Sequence, residues 1–434
     1  MKTRVFQCIT CILLVITVGV IGINKIQASA GQNSEVVAPA SEIKDKLNIN
    51  TDSSKPLEVK FIENTDYTEV NEYSIQNAST IIDYLNEDST DNVIISEASL
   101  NIALSMLLEG SQENSRTYNE LFNYLNNSNY SGSIQDILDK NRAIITQYNQ
   151  NTLITTNIAN SIWGNNIYFT DDFTNNIIQY FNSTPQTLDF NDMASVDIIN
   201  NWVAANTNNN INDVVNHNEL INSQAILINT LYFNSQWLDP FESENIKTEY
   251  FTNADHSTSE VSMMYSTVYN YYENDNCVAF SKPYEDTNYV FIGILPKTYD
   301  NFTITELDLD SLLETETNSY NVNIGMPQFN FNSENYLYDA LYNNGLEYTL
   351  SDNNSDFIMS DINLTISDII QNIYISVDSN GTEAAAATTV VCPKSTPVTE
   401  EKETKNITLN RPFAFIIYDT ANHECLFIGK INTL

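Results

Sequence analysis

The sequence predicts an α+β fold in which helices come early and strands come mostly late. Residues 99–108 (SLNIALSMLL) carry apolar side chains at helical spacing, and residues 115–125 repeat that pattern. The later segments 225–228, 290–295, 320–326 and 412–418 are short, apolar and rich in β-branched or aromatic residues, which is typical of strands. Because helices and strands do not alternate as βαβα, we expect sizeable and largely antiparallel sheets.

The composition indicates a folded protein with a large acidic excess. The chain has 434 residues, of which 42% are hydrophobic and 11% aromatic, enough to bury a substantial core. Its 18 Lys and Arg are outnumbered by 56 Asp and Glu, which gives a formal net charge of −38. This charge repels phosphate backbones and anionic lipid headgroups, so we expect no nucleic-acid partner.

Residues 1–30 are typical of a secretory signal peptide. A positive start is followed by an apolar run over 8–23 and by small residues (ASA, 28–30) that suit cleavage. A single membrane anchor is the alternative, although no later segment is apolar for long enough to cross a bilayer. Cleavage removes three basic residues and no acid, so the exported chain would carry −38 − 3 = −41. We predict a secreted, extracellular protein with no membrane contact after signal cleavage.

Beyond the signal peptide, the chain divides into a linker and one domain. Residues 31–66 are polar and acidic, with Pro and Ser but little periodicity, which indicates a flexible linker. Residues 67–434 contain no comparable break and no internal repeat, so one domain is expected. Cys277, Cys392 and Cys425 remain after cleavage, too few for a disulfide framework. Packing must therefore hold the domain together.

Motifs for catalysis, metal binding and cofactors are missing from the sequence. With only 11 Gly, the chain has no G-x-S-x-G elbow and no phosphate-binding loop. His423 and Glu424 begin like H-E-x-x-H, but position 427 is Phe rather than the second His. A Ser-His-Asp arrangement has no local support, although three His are present and a hydrolase stays the alternative. We therefore predict neither an enzyme nor a metal or cofactor site.

The most informative stretch is 381–391 (GTEAAAATTVV). As a helix it would be short, because Gly381 precedes the alanines and a β-branched run follows them. As a strand it would divide its side chains by period two, with one uncharged face of small or β-branched residues and Glu383 on the other. That face consists of Thr382, Ala384, Ala386, Thr388 and Val390. Such a strand could enter between two existing strands without placing bulk in a core.

The residues after this stretch favour an exposed loop. Residues 392–405 are polar, charged and interrupted by two prolines, which does not suit a core strand. A long loop in an otherwise ordered domain is usually functional or disordered. The sequence thus places a long exposed loop, whose first half can form a strand, between two strand-like regions.

In this context the chain resembles the serpin family over nearly all of the predicted domain. Residues 381–391 are similar to the hinge and proximal half of the reactive-centre loop of inhibitory serpins, and other segments match in the family's order. These segments are 92–110, 200–203, 229–233, 263–264, 283–284, 295–297, 410–415 and 426–430, together with Trp237, Pro240 and Phe241. The resemblance implies three β-sheets, about eight or nine helices and an exposed reactive-centre loop at about 379–408.

The function that the resemblance implies is inhibition of proteases by a suicide-substrate mechanism. A target protease cleaves the loop and is trapped as the acyl-enzyme when the loop inserts into the main sheet; serine endopeptidases are the expected targets of this monomer. The alternatives are a non-inhibitory serpin that acts as a secreted binding or carrier module, and an inhibitor of cysteine proteases. The hinge residues implied are Gly381, Thr382, Glu383, Ala384, Ala385, Ala386, Ala387 and Thr388.

Several positions depart from the family pattern. Ser379 and Asn380 replace acidic residues before the hinge glycine, Gln371 replaces a common His, and Glu97 replaces a Pro. The resemblance also implies a polar cluster where the main sheet opens. Its expected members are Ser96, Ser99, Asn229 and Gln371. We expect this cluster to have a structural or gating role rather than a chemical one.

The reactive bond has two candidates. The family's usual spacing from Gly381 places it at Ser395-Thr396, whereas one residue earlier gives Lys394-Ser395. We prefer Lys394-Ser395, because a basic side chain complements the acidic specificity pocket of a trypsin-like serine protease. A trypsin-like protease is therefore the expected partner.

Overall fold

The computed structural model describes residues 75–127, 132–149, 151, 153–298, 301–351, 356–382 and 402–434. All of them belong to the second of two units of the chain, Thr68–Leu434. The predicted signal peptide, the linker and loop residues 383–401 lie outside the described residues, as does Cys392. Among the described cysteines, Cys277 and Cys425 are free and buried.

Nine α-helices are present in the described part of the chain, and seven of them precede residue 221. They are α1 (Gln76–Leu85), α2 (Glu97–Glu109), α3 (Arg116–Asn127), α4 (Ile134–Asn149), α5 (Asp171–Phe181), α6 (Met193–Asn206), α7 (His217–Leu220), α8 (Leu309–Leu313) and α9 (Tyr338–Asn343). The two segments predicted as helical from their spacing correspond to α2 and α3, which confirms both predictions.

The strands form three sheets. The six-stranded main sheet has the order β11 (Phe329–Tyr336), β12 (Ile366–Val377), β13 (Gly381–Thr382), β4 (Ala225–Gln236), β2 (Thr155–Asn165) and β3 (Gln186–Leu188). A second six-stranded sheet has the order β1 (Val93–Ile95), β16 (Glu424–Ile431), β15 (Phe413–Asp419), β9 (Tyr289–Pro296), β8 (Cys277–Pro283) and β7 (Asn270–Glu273). A four-stranded sheet has the order β14 (Glu403–Thr408), β10 (Tyr320–Pro327), β6 (Thr258–Val268) and β5 (Ile246–Thr252).

These sheets confirm the predicted α+β class. The four segments predicted as strands lie in β4, β9, β10 and β15, and most pairings are antiparallel. The predicted loop over 379–408 is shorter in the structure, because β13 begins it and β14 ends it. β14 pairs in parallel with β10 at the edge of its sheet, where only Ile407 is buried. A polar edge strand of this kind carries no apolar alternation that the sequence could reveal.

Two hydrophobic cores enclose the main sheet. Because side chains alternate along β4, this strand contributes residues to both cores. Ala225, Leu227 and Leu231 belong to the larger core, whereas Ile226 and Ile228 belong to the smaller one. Residues of α6 complete the smaller core, and α2, which is buried along nearly its whole length, belongs to the larger one. The main sheet is therefore covered on both faces. No helix of the described residues is long and apolar enough to span a membrane.

Candidate functional site

The candidate site is the end of the main sheet at which β4 and β12 finish. Over most of their length these two strands pair directly and in parallel, from Ala225 and Ile366 to Leu231 and Ile373. Near their carboxyl ends they separate to admit β13, which is antiparallel to both. The main sheet is therefore closed over most of its length and open only at this end.

Gly381 and Thr382 fill the opening as the first two hinge residues. Thr382 is paired with Val377 of β12 on one side and Ser235 of β4 on the other. Gly381 is paired with Gln236, and a Cβ at Gly381 would lie 2.1 Å from the backbone oxygen of Ser235. Since no side chain fits at that distance, this position requires glycine.

A tight turn joins β12 to β13. The side-chain oxygen Oδ1 of Asp378 accepts hydrogen bonds from the backbone N–H groups of Asn380 (2.7 Å) and Gly381 (3.1 Å). The backbone N–H of Asp378 in turn donates to the carbonyl of Gly381 at 2.9 Å. Asp378 therefore fixes the start of β13 as an Asx turn does.

Thr382 points into the protein, as the period-two pattern predicts for it. Its side chain is fully buried, and its hydroxyl oxygen lies 2.7 Å from the hydroxyl of Tyr284. Burial raises the pKa of Tyr284, so its phenol stays protonated and able to donate. The Tyr284 ring stacks on Trp237 with 4.6 Å between ring centroids. The first residue of the predicted inward face is thus buried with a hydroxyl partner.

Trp237 supports the turn directly, and Lys282 packs over Trp237. The indole N–H of Trp237 donates to the carbonyl of Asp378 at 2.9 Å. The backbone N–H of Trp237 donates to the carbonyl of Asn380 at 2.7 Å. The ammonium of Lys282, a residue only 2% exposed, donates to the carbonyl of Asp239 at 2.7 Å. Burial lowers the pKa of Lys282 to about 8, opposed by the negative charge of Asp239.

The predicted polar cluster comes together between α2 and the main sheet. The backbone N–H of Ser96 donates to Oε1 of Gln371 (3.0 Å), and Nε2 of Gln371 donates to the carbonyl of Ser96 (2.9 Å) and to Oδ1 of Asn229 (2.7 Å). Nδ2 of Asn229 donates to the carbonyl and hydroxyl oxygens of Ser99 and to Oδ1 of Asn160 at 2.6 Å. All five side chains are buried.

This network holds β4 and β12 together, because Asn229 and Gln371 are directly paired residues of those strands. Ser96 is also the N-cap of α2, where its side chain accepts from the backbone N–H of Ser99. The network therefore fastens the closed part of the main sheet to α2. Asn160 was not among the predicted members; it lies on the neighbouring strand β2 and is paired there with Asn229.

Comparison with known proteins identifies the family. The family model described as Serpin (serine protease inhibitor) matches residues 76–434. The chain belongs to the serpin family. An uncharacterized serpin-like protein of Methanosarcina acetivorans is 27% identical over 360 residues, which cover 79% of this chain and 81% of that protein. The leukocyte elastase inhibitor of Xenopus tropicalis is 26% identical over 370 residues, 80% of this chain and 95% of that protein.

Solved serpin structures share the fold. The native-state crystal structure of tengpin, a thermophilic serpin, matches with a TM-score of 0.74 and 27% identity, over 86% of this chain and 96% of that chain. This similarity confirms the predicted serpin-like fold with its three sheets. The reactive-bond candidates Lys394, Ser395 and Thr396, and hinge residues 383–388, lie outside the described residues.

Two of the positions where this serpin departs from the family pattern, Gln371 and Glu97, have clear local roles. Gln371 makes three hydrogen bonds within the polar cluster, so the amide serves there as a bridging group. Glu97 is buried in the first turn of α2, where the positive end of the helix dipole favours a carboxylate. Among the aromatic residues of the segments that match the family, Trp202 is only partly buried, whereas Trp237 and Phe413 are buried.

Proposed function

We propose that this serpin is a secreted, monomeric inhibitor of trypsin-like serine endopeptidases that acts as a suicide substrate. The observation that carries the proposal is β13, because two hinge residues already occupy the gap between β4 and β12 in the orientation that insertion requires. The buried side chain of Thr382 supports the small inward face predicted for the rest of the hinge. Several relatives are named as protease inhibitors, which supports the same class of activity.

The chemical step belongs to the protease. Its serine oxygen attacks the carbonyl carbon of Lys394, the bond to the nitrogen of Ser395 breaks, and that nitrogen leaves with a proton. The new amino-terminal segment begins at Ser395, and Lys394 remains attached to the protease as an ester. Loop insertion must then be faster than hydrolysis of this ester for inhibition to result.

Insertion would extend β13 and separate the parallel pairing of β4 and β12. From Thr382, a step of six residues along an antiparallel strand moves six residues back on each neighbour, from Val377 to Gln371 and from Ser235 to Asn229. Thr388 would therefore lie between Gln371 and Asn229, on the same inward face as Thr382. Insertion would break the hydrogen bond between Gln371 and Asn229. The hydroxyl of Thr388 could then donate a hydrogen bond to one amide and accept one from the other.

The deciding experiment is incubation of the exported chain with trypsin. We expect an adduct that survives denaturant and a released fragment that begins at Ser395, read by mass spectrometry. A Lys394→Ala variant should lose the adduct with trypsin, and Lys405→Ala, which alters a lysine of β14 beyond the loop, should keep it. A fragment that begins at Thr396 would select the alternative bond.

The other outcomes point to the alternatives. Cleavage without an adduct would indicate a non-inhibitory serpin that acts as a binding or carrier module. An adduct with papain but not with trypsin would indicate an inhibitor of cysteine proteases. Mass spectrometry of the exported chain tests the signal peptide, since cleavage after Ala30 predicts a first residue of Gly31.

A further inference from the structure

A cavity of about 540 Å³ lies beside the main sheet, along an edge of β2 that the neighbouring strand leaves uncovered. β3 pairs with β2 only at residues 163–165, so the edge before residue 163 has no strand on that side among the described residues. The end of α4, the connection from α5 to β3, and α6 form the walls. A volume of roughly 300–1,000 Å³ is usual for small-molecule sites.

The lining of this cavity is uncharged. None of its lining residues is Asp, Glu, Lys, Arg or His, although the chain carries 56 acidic and 18 basic residues. Most of the polar groups are side-chain amides. They belong to Asn149, Asn157, Asn160, Asn182, Gln186, Asn201 and Asn206. In so acidic a protein, an uncharged, amide-rich cavity favours a neutral and polar ligand.

Two of these amides, those of Asn149 and Asn157, are fixed by the protein. Asn149 bridges the uncovered edge of β2, where its Oδ1 accepts from the N–H of Ile158 at 3.1 Å. Nδ2 of Asn157 donates to the carbonyl of Asn206 at 2.9 Å. These bonds give this part of the cavity a defined shape before any ligand arrives.

Two other amides, those of Asn182 and Asn201, are available to a ligand. Asn182 ends α5 in the left-handed conformation (φ 49°), and Asn201 lies on α6; both are exposed. Neither side chain has a hydrogen-bond partner within the part of the chain that the structure describes. Each therefore offers donors and an acceptor to a ligand.

Two of the three tryptophans of the chain line the same cavity. Trp163 is buried, and its N–H donates to the hydroxyl of Ser161 at 2.6 Å. Trp202 is partly exposed and meets Trp163 edge to face, with 5.9 Å between ring centroids. The cavity thus combines an aromatic surface, fixed by the hydrogen bond of Trp163, with amides that have no hydrogen-bond partner among the described residues.

We propose that this cavity binds a neutral saccharide. Vicinal hydroxyl groups each donate and accept, which matches the paired donor and acceptor of an amide, and the C–H face of a sugar ring can pack on the indole of Trp202. An apolar ligand would leave the amides unpaired, and a charged ligand would lose hydration without gaining a counter-charge. A saccharide site here goes beyond protease inhibition.

Tryptophan fluorescence of the full chain tests this proposal with maltotriose, cellotriose and triacetylchitotriose as neutral probes. At least one of them should give a saturable change, and trigalacturonic acid, a charged probe of similar size, should give none. The ligand could be a free oligosaccharide or a glycan on a protein. Ribonuclease B and its unglycosylated form, ribonuclease A, distinguish these sources. If the ligand is a glycan on a protein, the chain should bind ribonuclease B and should not bind ribonuclease A.

Matched variants locate the binding. Asn201→Ala should weaken binding about threefold to tenfold, the effect of one lost hydrogen bond. Asn218→Ala removes a similarly exposed helical asparagine in α7 and should leave binding unchanged. Trp202→Phe should both weaken binding and reduce the fluorescence change. The proposal is overturned if no neutral probe saturates, if Asn201→Ala binds like the wild type, or if the acidic probe binds as well as the neutral ones.

Discussion

Thr382, one of the two hinge residues that the structure describes, has an environment that makes a specific chemical demand. Its hydroxyl meets that of Tyr284 in a fully buried space, and both sides of its backbone are paired. A small polar side chain satisfies this space, whereas a charge there would lose its hydration without a partner.

Thr382→Arg should therefore convert the inhibitor into a substrate. Burying the guanidinium would cost several kcal/mol, which slows insertion relative to hydrolysis of the acyl-enzyme. The measurement is the number of variant molecules cleaved by trypsin for each denaturant-stable adduct formed. Thr382→Ser keeps the hydroxyl and should inhibit like the wild type. An unchanged adduct yield from the Arg variant would refute the inward-facing assignment.

Lys282, which lies near the same end of the sheet, makes the free energy of unfolding depend on pH. Its pKa is about 8 in the folded protein and near 10.5 when unfolded, so the folded state releases its proton first. The unfolded chain then holds more protons between these values, and the free energy of unfolding rises with pH across that window. From pH 7 to pH 9.5 the gain from this group is about 2 kcal/mol.

Lys282→Met removes this titration while keeping a long apolar side chain over Trp237 and Phe241. The difference in thermal midpoint, wild type minus variant, should therefore increase by a few degrees from pH 7 to pH 9.5. Both proteins share the buried tyrosines, so their titration cancels in the difference. A difference that is constant or decreasing with pH would contradict the lowered pKa of Lys282.

At the scale of single elements, the register of β13 fixes where each hinge residue would arrive. Thr388 falls between Gln371 and Asn229, whereas its neighbour Thr389 falls between Ile370 and Ile228, which belong to the smaller apolar core. Thr388 would thus meet amides and Thr389 would meet aliphatic side chains.

Thr388→Val should lower the thermal stability of the cleaved protein without changing that of the intact one. The lost hydroxyl leaves buried amide groups unpaired only after insertion, at a cost of about 1–3 kcal/mol. Thr389→Val is the matched control and should not destabilise the cleaved form, because its new neighbours are apolar. Thermal midpoints of both variants, intact and cleaved, measure this. Equal effects of the two substitutions would mean that insertion follows another register.

The same elements show what the sequence can and cannot reveal. α2 and β15 were predictable because apolar periodicity persists over many residues, and the four residues of the polar cluster followed from the family resemblance. The strand β14 was not predictable, since solvent covers most of its side chains and no alternation results. The hydrogen bond from Thr382 to Tyr284 could not be foreseen either, because it depends on how two sheets meet.

At the scale of the whole molecule, the main sheet combines a closed part with an open end. The closed part consists of parallel pairs between β4 and β12, and parallel ladders are slightly less stable per residue than antiparallel ones. Full insertion would replace one parallel ladder by two antiparallel ladders around the new strand. The intact fold therefore has fewer hydrogen bonds between strands than the same chain could form once its loop is free.

Cleavage within 391–396 should for this reason raise the thermal midpoint substantially. If about ten hydrogen bonds are gained at roughly 1 kcal/mol each, stability rises by about 10 kcal/mol. Over residues 76–434, an unfolding entropy of about 2.1 cal/mol/K per residue converts this gain into an increase of about 10 °C or more. Calorimetry of intact and cleaved protein at one scan rate measures it, since a metastable intact form would unfold under kinetic control.

The Thr382→Arg variant, cleaved at the same bond, supplies the control for this measurement. Its loop is equally free but cannot bury the charge at the first inward position, so most of the gain in thermal midpoint should be lost. This comparison separates insertion from any general effect of cutting the chain. A wild-type protein that melts at the same temperature before and after cleavage would show that no pairing is stored, and would favour the non-inhibitory binding module.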